Sequence, residues 1–227
     1  VPPSASLAPH VGNAYDKYAS GNPLAALLTR RFLGEVDELL GDALADALPH
    51  AARRADELPA LSTDAPCASL LDVGCGEGVL SQRWARRWPE LDVLAVDRER
   101  VVAEWNERAE RNVRFDVADA CALPFADGEF DVACGIELLE QVAAAEVALA
   151  ELVRVARRAV LVSVPREPLW RVLNVLRGAY VGWLGNPPGH VNHYSRRAFV
   201  SLAARHGRVR EVRCPLPWTI VLIDVAR

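Results

Sequence analysis

The chain has 227 residues, 51% of them hydrophobic and 25% charged, with a net charge of −4. That is long enough for one globular domain, or one with a cap, around a sizeable core, and the acidic balance argues against a constitutive nucleic-acid binder. The five cysteines are odd in number and form no Cys-x-x-Cys pair, which argues against a disulfide framework or zinc site and for a reducing, cytoplasmic setting. Val1 to His10 lack the charged start and apolar stretch of a signal peptide, and no uncharged run is long enough to span a bilayer, so no membrane partner is expected.

Residues Val1 to Pro23 are polar and include Tyr15-Asp16-Lys17-Tyr18. From Leu24 to about Leu48 the residues Leu28, Phe32, Val36, Leu39, Leu40 and Leu44 keep helical spacing, which predicts a helix or helix pair ending near Pro49. A charged, Pro-containing connection runs from Pro49 to Pro66. Residues 1–66 therefore read as an N-terminal lid and helical segment, and 67–227 as the core.

The core opens with an apolar run from Cys67 to Val73 that stops at Gly74, Gly76 and Gly78. Val79, Leu80, Trp84, Ala85 and Trp88 then recur at helical spacing, so this stretch reads as strand, glycine turn, helix. Glycines let the backbone approach a ligand closely and aim it at a helix N-terminus. The dinucleotide fingerprint Gly-x-Gly-x-x-Gly needs a third Gly at position 79, which is Val, and a Walker loop needs Gly-Lys-Ser/Thr, which is absent.

Further strands are predicted over Leu91 to Asp97, Val113 to Val117, Phe130 to Cys134 and Ala159 to Val164, with helices over about Glu99 to Arg111 and Ala143 to Arg157. This alternation means a mostly parallel α/β sheet. Residues 166–195 break it as a long, aromatic, basic, partly helical insertion on the substrate side, with Asn186-Pro187-Pro188 as a turn. A helix from Arg196 to His206, capped by Ser195, and strands at about Val209 to Cys214 and Thr219 to Val225 complete the chain.

Ligands of such sheets bind beyond the carboxyl ends of the strands. Asp97 ends a strand 23 residues after Gly74, where an acid accepts hydrogen bonds from a ribose diol or caps the following helix. Asp119 sits where an acid accepts from an adenine amino group or caps its own loop.

Asp72 with Gly74, Gly76 and Gly78, then Val93 to Asp97, Asp119 with Leu123-Pro124-Phe125, Phe130-Asp131-Val132, and Glu137 to Val142 follow one another in an ordered set. That set resembles the class I S-adenosylmethionine (SAM) methyltransferases, in particular the ubiquinone/menaquinone-biosynthesis-like small-molecule group. The resemblance implies an α/β, Rossmann-like seven-stranded sheet of order 3-2-1-4-5-7-6, with strand 7 antiparallel and helices on both faces. It implies SAM as cofactor and S-adenosylhomocysteine (SAH) as product. Gly74, Gly76 and Gly78 would surround the methionine part, with Asp72 just before them. Asp97 would take the ribose, Asp119 and Ala120 the adenine, and Gly135 the edge of the methionine site, with Arg98 also among the cofactor-binding residues. Tyr15 would come from a lid that closes over the cofactor. Family members often carry His where this chain has Gln141, so a base at that position does not carry over.

A hydroxyl acceptor needs a base. The candidates are His190, His193 and Glu137. The two histidines read equally as loop anchors, and a metal pair lacks a third ligand. The expected function is methyl transfer to a small-molecule acceptor. The alternatives are an RNA or protein methyltransferase and a SAM-binding protein without catalysis. A dehydrogenase is disfavoured by Val79.

Overall fold

A computed structural model of the chain describes residues 22–45, 47–48, 68–98, 106 and 109–226. Its centre is a seven-stranded sheet of order β3-β2-β1-β4-β5-β7-β6. The strands are β1 Ala68–Val73, β2 Leu91–Asp97, β3 Val113–Val117, β4 Phe130–Ile136, β5 Ala156–Pro165, β6 Arg208–Arg213 and β7 Trp218–Asp224. The first five run parallel and β7 runs antiparallel between β5 and β6.

Both faces of the sheet are buried, which is why its strands read as apolar runs rather than alternations. The two-residue strand period sends neighbours to opposite sides. Leu70, Val132, Leu161 and Leu222 join one core with the helices α1 Pro23–Leu44 and α2 Val79–Arg87. Leu71, Ala133, Val160 and Val221 join the other, with α3 Ala145–Val155 and α5 Arg196–Ala204.

Helix α1 starts where Asn22 accepts hydrogen bonds from the Leu24 and Ala25 amides and Pro23 occupies the first turn. Its stripe of Phe32, Val36, Leu39, Leu40 and Leu44 is buried in the first core. Buried Asp37 fastens it further: Arg83 donates from Nε (3.0 Å) and a terminal nitrogen (2.5 Å), and Trp84 donates from Nε1 (3.0 Å). Both partners lie on α2, the helix that follows the glycine turn.

Several boundaries differ from the sequence expectation, two of them around β4. Helix α3 ends at Val155 instead of Arg157, because Ala156 already pairs with Phe130 and β5 begins there. Arg157 and Arg158 leave the helix to reach the buried carboxylate of Asp131, at 2.7 and 3.1 Å. Strand β4 continues through Gly135 and Ile136, which pair with Val162 and Ser163. Most of the helix expected at Glu99 to Arg111 lies outside the described residues, although Asn106 is helical and its side chain bonds the Phe115 backbone on both sides. The segment 166–195 contains α4 Leu169–Leu176 and a 3-10 turn at Val181–Trp183. Among the described residues no helix is long and apolar enough to cross a membrane.

Candidate functional site

The strand order reverses between β1 and β4, so the loops after these two strands flank a crevice at the carboxyl edge of the sheet. The loop after β1 is the glycine turn. Gly74, Gly76 and Gly78 all take positive φ, at 75°, 54° and 71°, a conformation that glycine adopts without a steric penalty. Space requires glycine too. A Cβ on Gly74 would lie 2.7 Å from Leu138 Cδ1, and one on Gly78 would run into the Phe115 ring. Leu138 belongs to the loop after β4, so the two loops are in contact.

Asp97 at the end of β2 closes the turn from the other side. Its Oδ2 accepts from the Gly76 amide at 2.9 Å and its Oδ1 from the Arg98 amide at 2.6 Å. Each carboxylate oxygen keeps a second lone pair, which suits the paired donors of a ribose diol. Asp72 is fully buried beneath the turn and accepts from Ser81 Oγ at 2.5 Å. Burial pushes its carboxyl up to about 6, with the Ser81 hydrogen bond working against the rise and the charge of Asp97 adding to it. Burial also raises the Cys75 thiol, inside the turn, which disfavours the thiolate form there.

Asp119 is exposed after β3, and its Oδ1 accepts from the Cys121 amide at 2.9 Å as an Asx turn. The neighbouring Ala120 is buried. Gly135 lies inside β4, where a Cβ would meet Leu152 at 3.0 Å and Leu138 at 3.2 Å. Arg98 is exposed beside Asp97. Tyr15 and the lid expected around it lie outside the described residues.

Glu137 follows β4 directly and holds a left-handed φ of 55°, a strained conformation for a side-chain-bearing residue. Its amide donates to the carbonyl and hydroxyl oxygens of Ser163, and its carbonyl accepts from Gln141 Nε2. Its carboxylate accepts from Trp218 Nε1 at 2.8 Å. Trp218 stacks on Phe32 with ring centroids 4.5 Å apart and packs against Trp170, which lies nearly parallel to the His190 ring at 6.3 Å. Helix α1, β7, α4 and the His190 loop thus build one aromatic wall beside Glu137.

The His190–His193 stretch is fixed across the loop after β4. Val191 and Asn192 amides donate to Glu140 O, and Asn192 Nδ2 donates to Leu139 O (3.0 Å) and Val142 O (2.7 Å). His193 Nδ1 lies 3.8 Å from Glu167 Oε1. Burial raises the Glu167 carboxyl, against the lowering effects of the Arg171 amide and of His193. Sequence reasoning passed over Glu167 and Trp218. Glu167 had a signal: it is the one acid between Glu151 and Glu211. Among the described residues no group of three His, Cys, Asp or Glu side chains forms a metal site.

Residues 71–163, which hold the glycine turn, Asp97, Asp119 and Glu137, match the family model described as a methyltransferase domain. Norajmaline N-methyltransferase of Rauvolfia serpentina is 36% identical over 93 residues, 39% of this chain and 32% of the relative. Demethylmenaquinone methyltransferase of Renibacterium salmoninarum is 36% identical over 92 residues, 40% of this chain and 38% of the relative. The chain therefore spans about a third of the length of the curated relatives it matches. Magnesium protoporphyrin IX methyltransferase from Synechocystis, solved with SAH, shares the fold of this chain. Its TM-score is 0.62 at 18% identity, covering 92% of this chain and 91% of that one.

Proposed function

We propose that the chain transfers the methyl group of SAM to a small-molecule acceptor. The observation that carries this reading is the hydrogen bond from the Gly76 amide to Asp97, which joins the glycine turn at the strand-order reversal to the acid that ends β2. In this reading Gly74, Gly76 and Gly78 hold the methionine part, Asp97 the ribose, and Asp119 with Ala120 the adenine. Gly135 contributes backbone only, since its missing Cβ faces Leu138 and Leu152.

SAM supplies an activated methyl on a sulfonium. The residues of the chain therefore bind, orient and exclude water, and proximity supplies much of the rate. The half-buried ring of Trp170, beside His190, suits a flat, apolar acceptor. Where the acceptor is a hydroxyl, His193 takes its proton and Glu167 positions the imidazole, with His190 and Glu137 as the other candidate bases. Glu137 is the weakest of these, because Trp218 already occupies its carboxylate.

Two measurements test the reading. Titration calorimetry with SAM, SAH and NAD is expected to give binding of the first two only. Turnover on a panel of phenols, amines and quinol-like compounds is expected to fall about a hundredfold or more in His193→Ala, the range for loss of a positioned base, with SAH affinity unchanged. NAD binding without SAH binding would overturn the cofactor assignment. Full turnover in both His190→Ala and His193→Ala would leave proximity as the mechanism.

A further inference from the structure

Helix α4 turns an apolar side outward. Val172, Val175 and Leu176 share one face at helical spacing, and all three are exposed, Leu176 at 77%. Only Asn174 of this helix is buried, and it serves to fold the following chain back. Asn174 Nδ2 donates to Gly185 O at 2.9 Å, and Arg171 Nε donates to Leu184 O at 3.0 Å. The return loop therefore lies against the helix and adds Val181, Trp183 and Leu184 to the same tip, with Trp183 64% and Leu184 72% exposed.

Charge on this segment is one-sided. Residues 168–197 hold four arginines and two histidines and not a single Asp or Glu, in a chain that carries 30 acids. Arg171 and Arg177 flank the apolar tip, on α4 and at its C-terminal cap. A complementary partner is apolar where it meets the tip and anionic around it. Side chains exposed by more than half offer surface on several sides, which a fluid phase wraps and a flat protein surface does not. Tryptophan at such a tip suits the boundary between apolar and polar zones.

We propose that the α4–Leu184 tip docks on an anionic lipid bilayer. Leu176, Val181, Trp183 and Leu184 enter the interfacial zone, and Arg171 and Arg177 lie against the headgroups. The tip leaves from the end of β5, on the same edge of the sheet as the glycine turn, so docking turns the acceptor side toward the bilayer. This lipid contact is peripheral and needs no spanning helix. It does not depend on methyl transfer.

The test is co-sedimentation of the full chain with vesicles of phosphatidylcholine alone and of phosphatidylcholine mixed with phosphatidylglycerol, at low and high salt. Binding to the mixed vesicles is expected to be about tenfold or more stronger than to the neutral ones and to weaken with salt. Trp183→Ser combined with Leu184→Ser is expected to lower it about tenfold, with SAH affinity and melting temperature near wild type. Arg177→Gln is expected to weaken only the anionic preference. Absence of binding to the mixed vesicles, or equal binding of wild type and the double variant, would overturn the proposal. A concentration-dependent dimer in sedimentation velocity that the double variant abolishes would also overturn it, by assigning the tip to a second copy of the chain.

Discussion

Asp72 and Asp97 are two carboxylates of one turn with opposite tasks. Asp72 is sealed under it, and burial pushes its carboxyl up to about 6 from an ordinary 3.8. Between those values the folded chain holds more protons than the unfolded one, so this group's contribution to stability falls as pH rises through the window. Above it the charged form costs about 3 kcal/mol relative to a group that is not shifted. Asp72→Asn cannot ionise, and its Oδ1 still accepts from Ser81. Its stability relative to wild type, read from denaturant midpoints, is expected to grow as pH rises from about 4 to about 7 and then level off. A difference that is flat across that range would show that Asp72 is not held protonated. Asp97 instead holds the Gly76 amide, and its proposed task is to bind the ribose. Asp97→Ala is expected to weaken SAH binding by about 1.5–3 kcal/mol in titration calorimetry, the scale for a hydrogen bond to a charged group. Unchanged affinity with the fold intact would remove Asp97 from the site.

The elements around the turn are held by single polar residues that reach across the chain. Helix α1 docks through Asp37, which accepts from Arg83 and Trp84 on α2. Asp37→Ala leaves the buried Trp84 N–H without its acceptor, so a loss of about 1–3 kcal/mol is expected in chemical denaturation. A loss no larger than that of an exposed control on α1, such as Arg30→Ala, would mean that apolar packing alone holds the helix. Asn192 plays the same part on the proposed acceptor side, joining the His190–His193 stretch to the loop after β4. Asn192→Ala is expected to raise KM for the acceptor and leave SAH affinity unchanged, because the glycine turn does not touch it. Parallel loss of both would mean that the stretch supports the cofactor side as well.

At the scale of the whole molecule, one crevice couples β1, β2, β4 and the insertion, so ligand binding is expected to stabilise the fold as a unit. SAH at a hundredfold its Kd contributes about 2.7 kcal/mol by mass action. For a chain of this size that corresponds to a rise in Tm of roughly 5–10 °C. Scanning fluorimetry with SAH and with NAD is the check, and an equal shift from both would contradict a SAM-selective crevice.

The sequence alone determined the features that local pattern encodes. Apolar runs ending in Gly74-Cys75-Gly76-Glu77-Gly78 and in Asp97 mark strand ends, because backbone conformation at a tight turn is chosen by neighbouring residues. Asp72, Asp97 and the glycines were legible for that reason, and the sheet order followed from the resemblance they carry. The end of α3 was not legible. Val155 to Arg158 contains no Gly or Pro, and the residues suit a helix, yet pairing with Phe130 and the pull of buried Asp131 on two arginines begin the strand early. The surroundings of Glu137 and of the His190–His193 stretch were decided by tertiary structure for the same reason at longer range. Glu137 meets Trp218 from 81 positions away, Asn192 meets Leu139 from 53, and Glu167 meets His193 across the insertion. No local rule specifies which distant partner a buried polar group finds. That is set when the two loops and α4 are packed against the carboxyl edge of the sheet, where most buried polar groups find a partner.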